Sequence, residues 1–197
     1  MKKLLILFCA LILSACTPAV PTPSPASTAC AVGGDKDCSR TDKADQYIEI
    51  MASDTFEAMS LSDLNKTIEN KETFVVYIGF KNCPWCQDAV AYLKEIADAN
   101  NIKVKYVNVR TEGDTKEFDQ RVDTNADYVK LQETFKDILS DDSKKIYVPL
   151  VVTIKDGAIV NHHYGTLDEH DATERDLNED EIKQLIEVYT DMLKDFK

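Results

Sequence analysis

The spacing of apolar residues predicts alternating helices and strands from about residue 60 onward. A near-continuous apolar run from Glu72 to Phe80 is rich in β-branched and aromatic residues, which is typical of a buried strand. After Pro84, apolar residues recur at helical spacing as far as Ala97. The segment Ser60 to Asn70 shows the same spacing and predicts a short helix before the strand.

The second half of the chain continues the alternation. The same criteria predict a strand at 102–109, a short helix within 111–125, a helix at 126–139, strands at 148–154 and 158–164, and a helix after Asn178. Lys155-Asp156-Gly157 is a turn signal between the last two strands. Asn178 and Glu181 have the spacing of a capping box. The predicted order is α-β-α-β-α-β-β-α.

The N-terminus has the pattern of an export signal. Two lysines follow Met1, and an apolar run extends from Leu4 to Leu13, too short to span a bilayer comfortably. Leu13-Ser14-Ala15-Cys16 resembles a bacterial lipobox. That resemblance implies cleavage before Cys16, a diacylglyceryl group on its thiol, and a membrane-anchored protein on the extracytoplasmic side. The alternative is an ordinary secretory signal with Cys16 incidental.

Composition divides the chain into a tether and a domain. Residues 1–15 are predicted to be the lipoprotein signal peptide, and residues 16–52 a flexible linker rich in Pro, Ser, Thr and Ala. Residues 53–197 are long enough for a single domain with a hydrophobic core. The net charge of −12 has the wrong sign for a broad nucleic-acid-binding face, so no nucleic-acid partner is expected.

Cysteine usage points to redox chemistry or to a structural bridge. The chain has six cysteines, of which Cys9 leaves with the signal and Cys16 is committed to lipid. Cys30 and Cys38 flank a short glycine-containing loop in the linker. They form either a local disulfide or a second redox pair that exchanges with the first. Cys83-Pro84-Trp85-Cys86 is a C-x-x-C motif.

A C-x-x-C motif can be half of a zinc site, a structural disulfide or a redox dithiol. A zinc site needs a second pair of ligands at suitable spacing. His162 and His163 are adjacent, so both can hardly point at one metal from a strand, and His170 lies in an acidic loop. The three histidines are expected at the surface, and no metal is predicted.

The local context of the motif favours a reactive thiol. Cys83 follows the buried strand and begins the next helix, where unpaired N–H groups and the helix dipole stabilise a thiolate. Lys81 adds a nearby positive charge, unless it is simply solvated. Cys83 is therefore predicted to be exposed, and Cys86, one turn further on, to be buried.

The element order and two motifs together resemble the thioredoxin fold, over residues Ser53 to Lys197. The motifs are the strand–C-x-x-C–helix unit and Val148-Pro149 at the start of a strand. The resemblance implies an α/β domain with a central mixed sheet of four or five strands flanked by helices. It also implies that Pro149 is cis and faces the dithiol, the alternative being an ordinary trans proline at a strand start.

The segment Tyr77-Ile78-Gly79-Phe80 before the cysteines is also similar to the bacteriocin transport accessory branch of thioredoxin-like proteins. That similarity implies a role beside peptide export. Two features depart from typical thioredoxins: Tyr77 stands where they carry a buried Asp, and the dipeptide Pro84-Trp85 replaces Gly-Pro. Trp85 is either a substrate-contact residue or a cap over the edge of the domain.

The sequence therefore predicts a membrane-anchored thiol–disulfide oxidoreductase. Cys83 would attack a disulfide, Cys86 would resolve the mixed disulfide, and backbone groups at Val148 and Pro149 would pair with the substrate. The expected partners are thiols or disulfides of exported proteins or peptides, the membrane, and a membrane redox partner. No dissociable cofactor is expected, because the electrons reside in the cysteine pair. The rival hypothesis is a protein that binds an exported peptide and keeps the cysteine pair as a structural bridge.

Overall fold

A computed structural model of the chain describes residues 40–111, 114–139, 144–194 and 196. The predicted signal peptide, the lipid-anchor residue Cys16 and the pair Cys30 and Cys38 lie outside these residues. The described helices are α1 (Arg40–Met51), α2 (Leu61–Glu69), α3 (Pro84–Ala99), α4 (Ala126–Phe135) and α5 (Glu179–Leu193), with a 3₁₀ turn at Lys116–Phe118. The described strands are β1 (Phe56–Ala58), β2 (Phe74–Gly79), β3 (Val104–Asn108), β4 (Leu150–Lys155) and β5 (Ala158–Tyr164). Among these described helices, none is both long and apolar enough to cross a membrane.

The strands form one mixed sheet in the order β1-β3-β2-β4-β5. β1, β3 and β2 are parallel, whereas β4 and β5 run antiparallel to their neighbours. Every residue of β2 is buried, which explains why its sequence is apolar without alternation. The prediction of a mixed α/β sheet is confirmed, and the sheet has five strands. The C-x-x-C motif therefore follows the central strand.

Helices cover the sheet on both faces. The chain moves from β1 to β2 in one direction across the sheet and from β2 to β3 in the other. Because both crossovers are right-handed, their helices α2 and α3 lie on opposite faces. α1 and α5 pack against α3, while α4 packs against α2. The cysteines at the start of α3 thus lie on the face that α1 and α5 cover.

The folded region begins earlier than the sequence suggested. α1 lies within the range 16–52 that was predicted to be a linker, and it places Tyr47 and Ile50 in the core. The sequence predicted four or five strands, and β1, at the edge of the sheet, is the fifth. Both elements are held by neighbours distant in sequence: Phe56 pairs with Val104, and Tyr47 packs against Tyr106. Residues 40–52 are thus part of the domain, and this part of the linker prediction is corrected.

Local signals in the sequence specify several element ends. The predicted capping box of α5 is confirmed: the side chain of Asn178 accepts from the N–H of Glu181, whose carboxylate accepts from the N–H of Asn178. The predicted turn between β4 and β5 is also confirmed, with Asp156 and Gly157 at φ values of 52° and 77°. β4 begins at Leu150 because Pro149 has no N–H to donate to the sheet.

Candidate functional site

Cys83 is the N-cap residue of α3. Its sulfur accepts a hydrogen bond from the N–H of Cys86, with an N–S distance of 3.3 Å. Pro84 occupies the first helical position, where its missing N–H leaves no bond unmade. Hydrogen bonding with Cys86 lowers the pKa of the Cys83 thiol although burial opposes the shift, and the charge of Arg121 lowers the pKa further. The N-terminus of α3 therefore favours the thiolate of Cys83.

Cys86 has the opposite environment. Its side chain is fully buried, which confirms the predicted burial of this thiol. Burial raises the pKa of Cys86 well above its usual value, and the neighbouring Cys83 raises it further. Both cysteines are free thiols. Their different pKa values separate their chemistry: Cys83 ionises first, while Cys86 stays protonated beside it.

A loop before β4 covers Cys83. The Cys83 thiol lies 3.7 Å from the carbonyl oxygen of Val148, and the Val148–Pro149 peptide bond is cis, as expected from the sequence. Pro149 is buried and Val148 is half-buried. Cys83 is only 4% exposed, so the prediction of an exposed nucleophile is wrong. The sequence placed Cys83 correctly at a helix start, but it did not show that this loop folds over the sulfur.

Arg121 supplies positive charge to the site, and sequence reasoning missed it. Its guanidinium group is held by Asp119 through two hydrogen bonds, 2.9 Å from Nε to Oδ1 and 2.7 Å from Nη2 to Oδ2. Nη1 donates to the carbonyl of Ile146, two residues before Val148. Burial acts to raise the pKa of Asp119, but hydrogen bonds from Arg121 and Arg110 hold this pKa at about 2. Asp119 therefore stays ionised and fixes Arg121 near the thiol.

Phe80 links these arginines to the cysteine loop. The guanidinium carbon of Arg110 lies 3.8 Å from the centre of the Phe80 ring, and that of Arg121 lies 5.6 Å from it. The Phe80 carbonyl accepts from the N–H of Cys83. Phe80 thus contacts both guanidinium groups through its ring and accepts the backbone hydrogen bond of the turn that precedes α3.

Replacing Arg121 with glutamine should make Cys83 less reactive near neutral pH. Removal of the cation raises the pKa of Cys83, because a nearby positive charge favours the thiolate. Since the thiolate forms above the pKa, the pH midpoint of Cys83 alkylation should move upward and the rate at pH 7 should fall. Iodoacetamide alkylation of the reduced protein, followed by mass spectrometry across pH, measures this midpoint.

Lys81→Gln is the matched control, because it removes the cation that the sequence suggested. Its side chain lines the cleft beside Asp114, whose pKa it acts to lower. The alkylation midpoint should therefore move less in this variant than in Arg121→Gln. Equal shifts in two well-folded variants would show that Arg121 has no particular role at Cys83.

Trp85 is anchored to the protein. It is half-buried and packs against the core, and its Nε1 donates to the carbonyl oxygen of His170 at 3.3 Å. The indole N–H is therefore satisfied by the loop that precedes α5. This contact supports the interpretation of Trp85 as a cap over the edge of the domain.

A buried ionic cluster lies directly behind the motif. Asp88, in the first turns of α3, accepts from Lys43 of α1 at 2.7 Å, and Lys43 also contacts Asp176 at 2.5 Å. The side chains of Lys43 and Asp88 are 7% and 2% exposed. The cluster therefore ties α1 and the loop before α5 to the helix that carries both cysteines.

His170 belongs to the same region and is 4% exposed, so the prediction of a surface histidine is wrong for this residue. Its Nε2 lies 3.0 Å from the carbonyl oxygen of Arg175 and 3.7 Å from Asp88. Nε2 carries a hydrogen, because a carbonyl oxygen only accepts. Nδ1 lies 2.6 Å from the hydroxyl of Thr166. Both ring nitrogens are thus engaged within the protein, which gives His170 a structural role.

A cluster of tyrosines lies in the core near Cys86. Tyr77 of β2 pairs with Tyr106 of β3, and their rings stack with centroids 5.8 Å apart. Tyr47 of α1 packs against both, and its hydroxyl donates to that of Tyr106 at 3.2 Å. Tyr47 and Tyr106 line a surface cleft of about 240 Å³. The tyrosine cluster near the buried thiol thus extends to a surface cleft.

Asp114 lies in the same cleft and is 8% exposed. Its carboxylate accepts from the N–H of Asn82, the residue before Cys83. Burial raises the pKa of Asp114, although this hydrogen bond and Arg110 act to lower it. No short motif marked Asp114 or Arg121, because both come from the polar stretch after β3. Their only sequence signal was charge within a segment predicted to contain little regular structure.

Among the described residues, no group of three or more His, Cys, Asp or Glu side chains is placed to hold a metal ion. No protein-family model matches the chain, and no curated protein matches it either. The chemistry of the site therefore follows from its own groups. These are a thiol with a lowered pKa at a helix N-terminus, a buried second thiol beside it, and a buried arginine that acts on the first.

Proposed function

We propose that this protein is a thiol–disulfide oxidoreductase of thioredoxin-like fold, anchored to the extracytoplasmic face of a bacterial membrane through Cys16. One observation carries the proposal: the two thiols of the C-x-x-C motif are adjacent but have opposite environments. The pKa of Cys83 is lowered and that of fully buried Cys86 is raised. A pair with one ready nucleophile and one protected thiol suits two-step disulfide exchange.

The exchange proceeds in two balanced steps. The Cys83 thiolate attacks one sulfur of a substrate disulfide, which forms a Cys83–substrate disulfide and releases the other substrate sulfur as a thiolate. Cys86 then loses its proton and attacks the Cys83 sulfur. The Cys83–Cys86 disulfide forms, and the second substrate thiolate leaves and takes up a proton. Two electrons pass from the protein to the substrate, and the reverse sequence oxidises a substrate dithiol.

The surroundings of Cys83 support a polypeptide substrate. The loop at Val148 and Pro149 lies next to the sulfur, and Tyr147 beside it is exposed. An extended substrate segment paired with this backbone would bring its own sulfur to Cys83. The mixed five-stranded sheet flanked by helices is compatible with a thioredoxin-like fold. The similarity of Tyr77–Phe80 to bacteriocin transport accessory proteins favours exported peptides as the substrate class.

The test of this function is the reduction potential of the Cys83–Cys86 pair. Equilibration in glutathione buffers, followed by alkylation and mass spectrometry, should give a midpoint within the range of known thiol–disulfide oxidoreductases, about −120 to −270 mV. A pair that stays oxidised to well below about −300 mV would instead be a structural bridge. That result would favour the rival binding-protein function.

The membrane anchor is tested separately. Lipid on Cys16 would hold the protein to membranes, because each buried CH₂ group contributes about 0.8 kcal/mol. The wild-type protein should partition into the detergent phase of a Triton X-114 extraction, and Cys16→Ser should move to the aqueous phase. Cys30→Ser is the matched control and should remain with the detergent. Equal retention of Cys16→Ser in the detergent phase would refute the anchor.

A further inference from the structure

Tyrosines near Cys86 offer a route for the proton that this thiol must lose in the resolving step. Cys86 must lose a proton before it attacks, yet its side chain has no access to solvent. The groups that interact with it are the Phe80 N–H, Cys83, and tyrosines from four elements: Tyr47 of α1, Tyr77 of β2, Tyr106 of β3 and Tyr189 of α5. A proton leaving Cys86 therefore has to pass through the protein.

Tyr77 is the phenol placed to take that proton. Its hydroxyl lies against Gly79, where a Cβ would come within 2.6 Å of the oxygen, so only glycine leaves room for it there. The Cys86 sulfur accepts from the N–H of the next residue, Phe80, and the Tyr77 hydroxyl faces the same sulfur. This hydroxyl is fully buried and makes no hydrogen bond of standard geometry among the described residues. The polar side chains that it contacts at longer range are Cys86 and Tyr47, so it can take a proton from the first and pass its own to the second.

The other phenols continue the path to solvent. The Tyr47 ring lies 6.4 Å from that of Tyr77, and its hydroxyl donates to Tyr106 at 3.2 Å. Tyr47 and Tyr106 both line the surface cleft, where Asp114 also lies. One oxygen of the Asp114 carboxylate accepts from Asn82, and the other is buried without a partner among the described residues. The path ends beside a carboxylate that can accept a proton.

We propose that the hydroxyls of Tyr77, Tyr47 and Tyr106 carry the proton of Cys86 to the cleft at Asp114 when Cys86 resolves a mixed disulfide. This inference rests on the proposed function. Tyr77 takes the proton from sulfur as its own proton passes to Tyr47, and the same exchange repeats at Tyr106. One proton leaves Cys86 and one arrives at the cleft, so each tyrosine ends neutral. Burial raises the pKa of all three phenols, which is consistent with transfer that leaves no tyrosinate behind.

The test separates the two steps of exchange with Ellman's reagent. The protein is the full-length chain, reduced, with Cys9, Cys16, Cys30 and Cys38 replaced by serine. Attack by Cys83 releases a first equivalent of coloured thiol, and resolution by Cys86 releases a second. In Tyr77→Phe the first phase should be unchanged, while the second should slow on the order of 100-fold at pH 7. The second phase should also gain a steeper pH dependence, because proton loss then depends on direct access of hydroxide.

Tyr189→Phe is the matched control. Tyr189 is also a fully buried tyrosine near Cys86, and its hydroxyl has no partner among the described residues, but it does not line the cleft. Its removal should leave both phases at the parental rates. Tyr47→Phe interrupts the path farther from the sulfur and should slow the second phase only. Thermal unfolding should show that Tyr77→Phe is as stable as the parent, since no standard hydrogen bond is lost.

The outcomes separate failure of the tyrosine proton path from failure of the proposed oxidoreductase function. A parental second phase in both Tyr77→Phe and Tyr47→Phe would overturn the path while the oxidoreductase stands. Equal slowing in Tyr189→Phe and Tyr77→Phe would also overturn it, because a general change of packing would then explain the effect. A parent that releases no second equivalent would refute the proposed function itself.

Discussion

Replacing Cys86 with alanine is expected to trap the protein on its substrates through a disulfide at Cys83. Cys83 keeps its helix N-terminus and Arg121, so it still attacks a substrate disulfide. No thiol remains beside it to attack the mixed disulfide, and turnover should fall by a factor on the order of 1,000 or more. Non-reducing gels of cells that express Cys86→Ala should show adducts that disappear on reduction, and mass spectrometry identifies the trapped proteins.

Cys83→Ala is the matched control. Its remaining thiol, Cys86, is fully buried and has a raised pKa, so it should form no adducts. Both variants are compared in a background of Cys30→Ser and Cys38→Ser, so that every adduct is assigned to the C-x-x-C motif. Equal trapping by the two variants would contradict the assignment of nucleophile and resolving thiol. Full function in both, with no adducts, would favour the binding-protein alternative.

Replacing Lys43 with methionine should destabilise the domain by about 3–5 kcal/mol, because it leaves the buried Asp88 carboxylate without its cation. Asp88 is 2% exposed, and Lys43 reaches it from α1. The variant also loses the ion pair that joins α1 to α3. Equilibrium unfolding in urea, followed by circular dichroism, measures the loss in the free energy of unfolding.

Two controls make this stability effect specific. Lys66 forms an exposed ion pair with Asp63, and Lys66→Met should change the free energy of unfolding by less than about 1 kcal/mol. Replacing both partners, as in Lys43→Met with Asp88→Leu, should recover much of the lost stability, because no buried charge is then left alone. A Lys43→Met variant as stable as the wild type would show that the ionic cluster contributes little.

Local patterns in the sequence were sufficient for the centre of the site. The apolar run of β2, the C-x-x-C motif and the helical spacing after Pro84 placed Cys83 at a helix start and Cys86 in the interior, because each of these features depends on neighbours a few residues away. The capping box at Asn178 and the turn at Gly157 were predictable for the same reason.

α1 shows why a local pattern can be missed. Its apolar residues Ala44, Tyr47 and Ile50 recur at helical spacing, but they follow a proline-rich segment and lie among charged residues. By itself this helix has few apolar groups to bury. Packing against α3 and the bond from Lys43 to Asp88, 45 positions away, place it in the domain. Its identification therefore depended on contacts that no short window of sequence contains.

The sequence by itself determined the identity of the two thiols, their helix and the strand behind it. Only the tertiary structure decided what lies near the thiols: the loop at Val148 that covers Cys83, Arg121 that lowers its pKa, and the tyrosines that interact with Cys86. The physical reason is that secondary structure follows from spacing along the chain, whereas pKa and exposure depend on groups that the sheet order β1-β3-β2-β4-β5 brings together from distant segments.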